Sequence, residues 1–158
     1  MILRDATGAD AGAIATIWNR EIRDGVSTFN TIEKELGALK AAIASEAVFK
    51  VVEDADAVLG FATFGPFRGG PGYVHSMEHT IYLAEDARGR GVGRMLMAAL
   101  QEEARARDIH VLVAGVGSEN AAGIAFHTRL GFVEVGRMPQ IGRKFGRWMD
   151  LVLLQKML

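Results

Sequence analysis

The chain has 158 residues, 49% of them hydrophobic, with 18 Lys and Arg against 19 Asp and Glu. That size suits one compact domain, residues 1–158, with a real core, and the near balance of charge argues against nucleic acid or an anionic membrane as partner. The absence of Cys excludes disulfides, thiolate metal sites and a Cys nucleophile, while the polar-interrupted start MILRDATGADAGAIATIWN and the lack of any run near about 18 apolar residues lead us to expect a soluble cytoplasmic protein.

Residues 2–5 read as a short strand, after which Thr7 or Asp10 offers a helix cap and Ile14, Ile17, Trp18 and Ile22 recur at helical intervals. The spacing predicts a second helix over Ile32–Ser45, then strands at Ala47–Glu53 and Ala57–Phe64 about an Asp54–Asp56 turn, and a break at the Gly and Pro cluster of 65–72. Residues 73–83 alternate, which predicts a strand with Ser76, Glu78, Thr80 and Tyr82 on one face and His75, Met77, His79, Ile81 and Leu83 on the other. A helix follows with Val92, Met95, Leu96, Ala99, Leu100 and Ala104 on one stripe. The remainder reads as a buried-type strand at Ile109–Val116, a short helix at Glu119–Leu130 ended by Gly131, and an antiparallel pair over Phe132–Leu158 bent near Gly142–Gly146. This order predicts an α+β fold, and no repeat or linker divides it.

The segment Arg88-Gly89-Arg90-Gly91-Val92-Gly93-Arg94 sits between a predicted strand and a helix, where free backbone N–H groups and the helix dipole favour an anion. Glycines let the backbone approach phosphoryl oxygens, and Arg88, Arg90 and Arg94 add charge-assisted donors; the plainer reading is a glycine-rich loop with solvated arginines. The dinucleotide pattern G-x-G-x-x-G fails at Arg94, and no G-K-[ST] exists for a P-loop. What fits is R-x-x-G-x-G over Arg88–Gly93, which resembles the pyrophosphate-binding signature of the GNAT acetyltransferases. The following helix and strand, and SENAAGIAFHTRLGF, resemble the second half of the same core, so the likeness covers nearly the whole chain. GPFRGGPGYVHSMEHTIYL and MPQIGRKFGRWMDL resemble a branch, the bacterial phosphinothricin and methionine sulfoximine N-acetyltransferases.

That resemblance implies a GNAT fold with a mostly antiparallel twisted sheet, acetyl-CoA as cosubstrate, no metal, a small amino-acid-like acceptor and a homodimer. Acetyl transfer from a thioester to an amine needs a neutral nitrogen, a stabilised oxyanion and a proton for the departing thiolate. The resemblance makes Glu78 the general base, against the alternative of a solvated or salt-bridged strand carboxylate. It places cofactor contacts at Ile81, Tyr82 and Leu83, whose backbone holds the oxyanion, and along Arg88, Gly89, Arg90, Gly91, Val92, Gly93 and Arg94. Asn120 has two readings, a cofactor contact and a helix cap. Family members often carry Tyr before x-x-x-G-F; FHTRLGF has His127 there, and acid, cofactor-contacting and structural roles stay open for it. Phe29, Asn30, His79, Thr80, Lys144 and Phe145 are the expected acceptor-pocket residues. Arg68 offers a bidentate fork to a substrate carboxylate, or is a plain surface arginine. Val74 stands where related sequences often have a basic residue, which bears on substrate range. The apolar tail LVLLQKML and the last strand pair are candidates for a two-fold interface.

Two rivals come from other classes. His75-Ser76-Met77-Glu78-His79 matches H-x-x-E-H, a zinc peptidase signature that requires a helix. In a strand the two His stand roughly 13 Å apart along the chain, too far to share a zinc at about 2 Å per bond. The other rival is a GNAT-like domain that binds acyl-CoA as a sensor without turnover; Glu78 argues against it.

Overall fold

A computed structural model describes residues 1–45 and 47–158. The chain runs β1 (Ile2–Asp5), α1 (Ala11–Asp24), α2 (Leu36–Ala44), β2 (Val48–Asp54), β3 (Ala57–Pro66), β4 (Ser76–Leu83), α3 (Val92–Ala106), β5 (Val111–Gly117), α4 (Ala121–Arg129), β6 (Val133–Lys144) and β7 (Arg147–Met157). The strands form one seven-stranded sheet in the order β1-β2-β3-β4-β5-β7-β6. Every pairing is antiparallel except β4 with β5. This is the α+β architecture that the order of elements predicts.

Helices cover both faces, each through its apolar stripe. On one face α1 and α2 bury Ala11, Ile14, Leu39 and Ile43 against Phe49, Val51 and Phe61. On the other, α3 places Val92, Leu96 and Leu100 against Val52, Leu59 and Ala62, and Met97 and Ala104 against Leu112, Ala114, Val152 and Leu154. The aromatic stack Trp18–Phe61–Tyr82, with centroids 5.0 and 6.0 Å apart, ties α1 to β3 and β4. At the head of α1 both predicted caps act together. The Asp10 carboxylate accepts from the Thr7 amide at 2.7 Å and receives both terminal nitrogens of Arg4 at 2.8 and 2.9 Å.

Two boundaries differ most from the expected ones. The second helix starts at Leu36 rather than Ile32, because Glu35 caps it by accepting from the Gly37 and Ala38 amides and Asn19 holds Lys34 extended through two backbone hydrogen bonds. β4 starts at Ser76 rather than residue 73, because Gly70, at φ +112°, leads into a 3-10 turn over Pro71–Tyr73. The apolar tail belongs to β7. β7 is an interior strand paired on both sides, with Val152 and Leu154 wholly buried, so the open edge of this hairpin is β6. The hairpin turn, Phe145 and Gly146, has φ of +54° and +72° at its two residues, as a two-residue turn that follows strand twist requires.

Candidate functional site

The site begins where the sheet comes apart. The parallel ladder of β4 and β5 joins Ser76–Glu78 to Val111–Val113 and stops there. Beyond it β4 stays bonded to β3 as far as Leu83, and β5 stays bonded to β7 as far as Gly117. A cleft of about 840 Å³ lies between, lined by His79–Leu83 on one side and Ala114–Val116 on the other. Main-chain groups of an antiparallel strand alternate in direction. The Ala84 amide donates to Leu59 of β3, so the even-numbered residues of β4 face β3 and the amides of Ile81 and Leu83 face the cleft.

One end of the cleft is made of backbone. The loop from Arg88 enters α3 through Gly89 and Gly91, at φ +77° and +83°, a conformation that disfavours any side chain with a Cβ. Unlike α2 and α4, α3 has no side-chain cap, so its first-turn N–H groups have no such partner. A Cβ on Gly93 would lie 3.0 Å from the Phe126 ring, so glycine here lets α3 pass close to α4. Arg88, Gly89 and Gly93 line the cleft, joined by Arg129 from α4. An uncapped helix terminus, a loop with glycine at positions 89 and 91, and the cations of Arg88 and Arg129 fit a pyrophosphate. Of the other motif residues, Val92 is core, Arg94 is exposed, and Arg90 points away to Asp54 at 2.7 Å.

Glu78 stands in the throat. Its side chain is exposed to the open cleft and makes no hydrogen bond or ion pair among the described residues; surrounding protein alone raises its pKa by desolvation. It occupies room that Gly115 leaves, since a Cβ there would come 3.0 Å from Glu78 Oε2. Tyr82 lies on the same face; burial, and then the Glu21 carboxylate, push its phenol above the usual range, so it is neutral. Thr80 also lines the cleft.

His79 and His127 lie on the opposite face of β4, both buried, with their Nε2 atoms 2.9 Å apart. His127 Nδ1 is 2.7 Å from the Gly123 carbonyl, which can only accept, so Nδ1 carries the proton. His127 Nε2 is then the acceptor and His79 Nε2–H the donor, which leaves His79 Nδ1 bare and buried without a well-formed hydrogen bond. Burial, with repulsion between the rings, brings the His79 pKa down to about 3 against a small upward pull from the Val113 backbone, and burial lowers that of His127. Both are neutral, and both nitrogens of His127 are engaged. His75 turns outward to Asp108 instead, so H-x-x-E-H does not converge, and among the described residues no three His, Cys, Asp or Glu are grouped to hold a metal.

The far end of the cleft is made of side chains from distant segments. Asn120 caps α4 by accepting from the Gly123 amide at 3.0 Å and donates to Ser27 Oγ at 2.9 Å; Ser27 donates to Glu21 Oε1 at 2.6 Å. Asn120 therefore serves as the cap and also lines the cleft. Phe29 lines it too, packed over Gly142 and Gly117, where a Cβ would meet Phe29 at 2.2 and 3.3 Å. Four expected acceptor residues lie outside the cleft wall. Asn30 forms a local turn with Ile32, Arg68 lies over the Tyr73 ring at 5.7 Å, Phe145 is exposed at the hairpin tip, and Lys144 is buried against main-chain carbonyls. Glu21, Ser27 and Arg129 were not legible as site residues. Each is an ordinary polar residue on or beside a helix, and only the packing brings it to the cleft.

Comparison with known proteins agrees with this geometry. A family model described as the acetyltransferase (GNAT) family matches residues 14–132. The L-methionine sulfoximine/L-methionine sulfone acetyltransferase of Pseudomonas aeruginosa is 39% identical over 158 residues, covering 97% of this chain and 92% of its own. A structure described as a ribosomal-protein-alanine N-acetyltransferase from Brucella melitensis superposes with a TM-score of 0.94 at 41% identity, over 100% of both chains. A phosphinothricin acetyltransferase from Sinorhizobium meliloti, solved in complex with acetyl-CoA, superposes with a TM-score of 0.91 at 31% identity, over 99% of this chain and 88% of that one. The chain belongs to the GNAT acetyltransferase family.

Proposed function

We propose that this chain is a cytoplasmic, single-domain N-acetyltransferase that uses acetyl-CoA to acetylate the α-amino group of a small amino acid or analogue. Methionine sulfoximine, methionine sulfone and phosphinothricin, named for its relatives, are the first acceptors to consider. The observation that carries the reading is Glu78: a carboxylate without an ion pair among the described residues, in the throat between a phosphate-binding end and a polar end.

Acetyl-CoA supplies the acetyl group activated as a thioester. The first turn of α3, with Arg88 and Arg129, holds the pyrophosphate end. The Ile81 and Leu83 amides, facing the cleft, hold the charge that develops on the thioester oxygen. The α-ammonium of a free amino acid is protonated at neutral pH and must lose a proton before attack, and Glu78 takes it, directly or through one water. Desolvation raises the Glu78 pKa, which makes it a stronger base than a free carboxylate. With no Cys in the chain, the acetyl group passes directly to the amine in a ternary complex, and the nitrogen's second proton neutralises the departing thiolate. The hydrogen bonds of His127 support a structural role for it rather than that of acid.

A homodimer is part of the proposal. β6 is an edge strand twelve residues long, with Val133, Val135 and Ile141 more than half exposed and Trp148 of β7 beside them. Such an edge needs cover. No described helix is long and apolar enough to cross a membrane.

The test is thiol release from acetyl-CoA with a panel of amino acids, the analogues above and an alanine-initiated peptide, for wild type and Glu78→Gln, from about pH 6 to about pH 9. Turnover of an amino acid or analogue, abolished in the variant or displaced to high pH, is the expected result. Tight acetyl-CoA binding with no turnover of any amine would instead favour a sensor.

A further inference from the structure

Lys144 ends β6 at the hairpin tip, yet only 5% of it is exposed. Its Nζ donates to three main-chain carbonyls, Gly25 at 2.6 Å, Thr28 at 3.0 Å and Glu21 at 3.2 Å. An ammonium has three protons and all three are used. Two of the acceptors, Glu21 and Gly25, lie at the end of α1, where the dipole favours a cation; the Glu21 carbonyl also accepts from the Gly25 amide at 2.9 Å. The third lies three residues beyond Gly25. Among the described residues no acid pairs with Lys144 at salt-bridge distance; Glu21 and Asp24 act on it only from further away.

The segment so held forms the amine end of the cleft. Gly25, Val26, Ser27, Thr28 and Phe29 all line it, and none of them belongs to a helix or strand. Such a loop keeps one shape only if something outside it fixes its main chain. The hydroxyl of Ser27, bonded to Glu21 and Asn120, fixes one point. Lys144 fixes the main chain on either side of that point, from a strand 116 residues later in the sequence. We propose that Lys144 is a positioning residue: its ammonium, held by three carbonyls, sets the shape of the loop that receives the acceptor amine, without touching substrate. The proposal rests on the assignment of this end of the cleft to the amine.

It is tested with Lys144→Met, which keeps the stem and removes the donors, and Lys144→Gln, which restores two N–H donors. Two readouts are used: the KM for amine and for acetyl-CoA, and amide hydrogen exchange over residues 21–29. In the Met variant the amine KM rises about tenfold, the loss of one or two charge-assisted hydrogen bonds, while the acetyl-CoA KM stays within about twofold. Exchange accelerates over 21–29 and not at the start of α3, and Gln recovers part of both effects. A role in general stability alone moves both KM values together, or neither, and that result overturns the proposal. Where the Met variant does not fold, the Gln variant carries the same comparison against wild type. Should the wild type acetylate none of the amines, the substrate assignment fails on its own and exchange still decides: unchanged protection over 21–29 overturns the role of Lys144.

Discussion

The two ends of the cleft are built from different parts of the polypeptide. The end proposed for the pyrophosphate uses mainly the main chain of one continuous loop and helix terminus, with glycines that take positive φ and a helix that carries no side-chain cap, and adds the side chains of Arg88 and Arg129. The amine end uses a loop after α1, a cap from α4, and a lysine from the β6–β7 hairpin, held together by hydrogen bonds that span 93 and more residues. The difference teaches where change is tolerated. A shared cofactor is met by main chain that any family member can keep, whereas acceptor choice rests on side chains that vary one at a time.

The comparison is sharpened most at the throat, which serves both ends. Glu78→Gln should lower kcat/KM by about 10²–10⁴-fold, the usual share of general base catalysis, without raising the acetyl-CoA KM. Because desolvation raises the Glu78 pKa, wild-type activity falls on the acid side at a pH above the ordinary carboxylate range. The same shift means that stability is lost as pH rises from the unfolded pKa of Glu78 through its higher folded one, and the full cost is present at neutral pH, so the Gln variant melts no lower than wild type there. A variant inactive only because it unfolds would break this reading.

Gly142→Ala attacks the amine end alone. Its Cβ would sit 2.2 Å from the Phe29 ring, and displacing that ring should cost about 1–3 kcal/mol in chemical denaturation and raise the amine KM. Gly91→Ala attacks the other end, where φ of +83° makes a Cβ cost roughly 1–2 kcal/mol; the acetyl-CoA KM rises and the amine KM holds. Were either variant to move both constants equally, the division between the ends would not stand.

The His79–His127 pair gives a smaller, pH-dependent effect. Both rings are held neutral in the fold, while unfolded His takes a proton near pH 6.5. The unfolded chain therefore binds more protons as pH falls below about 6.5, and stability drops by up to about 1.4 kcal/mol per pH unit for each ring until its folded pKa is reached. Replacing both by Leu should flatten that slope in pH-dependent melting. Smallest of all is Arg90→Ala. Its guanidinium is paired with Asp54 outside the cleft, so the acetyl-CoA KM should change less than in Arg88→Ala.

Much of this was legible in the residues alone. Apolar spacing located the helices and strands because 3.6- and 2-residue periods follow from backbone geometry, and the R-x-x-G-x-G run pointed to the proposed anion site because local chain geometry suffices to make one. Alternation in β4 separated the face of Glu78 and Tyr82 from that of His79 before any contact was known. The start of α2 was not legible, since it is decided by the Glu35 cap together with Asn19, which holds Lys34 from fifteen residues earlier. Nor was the fate of Lys144. The family resemblance places it in the acceptor pocket, and it is instead spent on main-chain carbonyls of Glu21, Gly25 and Thr28. The β4–β5 ladder, stopping after three residue pairs, opens the cleft, and no residue type marks that point. Local conformation depends on neighbours in the chain and can be read from them; which polar groups remain free for chemistry depends on partners that only the closed tertiary structure brings within hydrogen-bond reach.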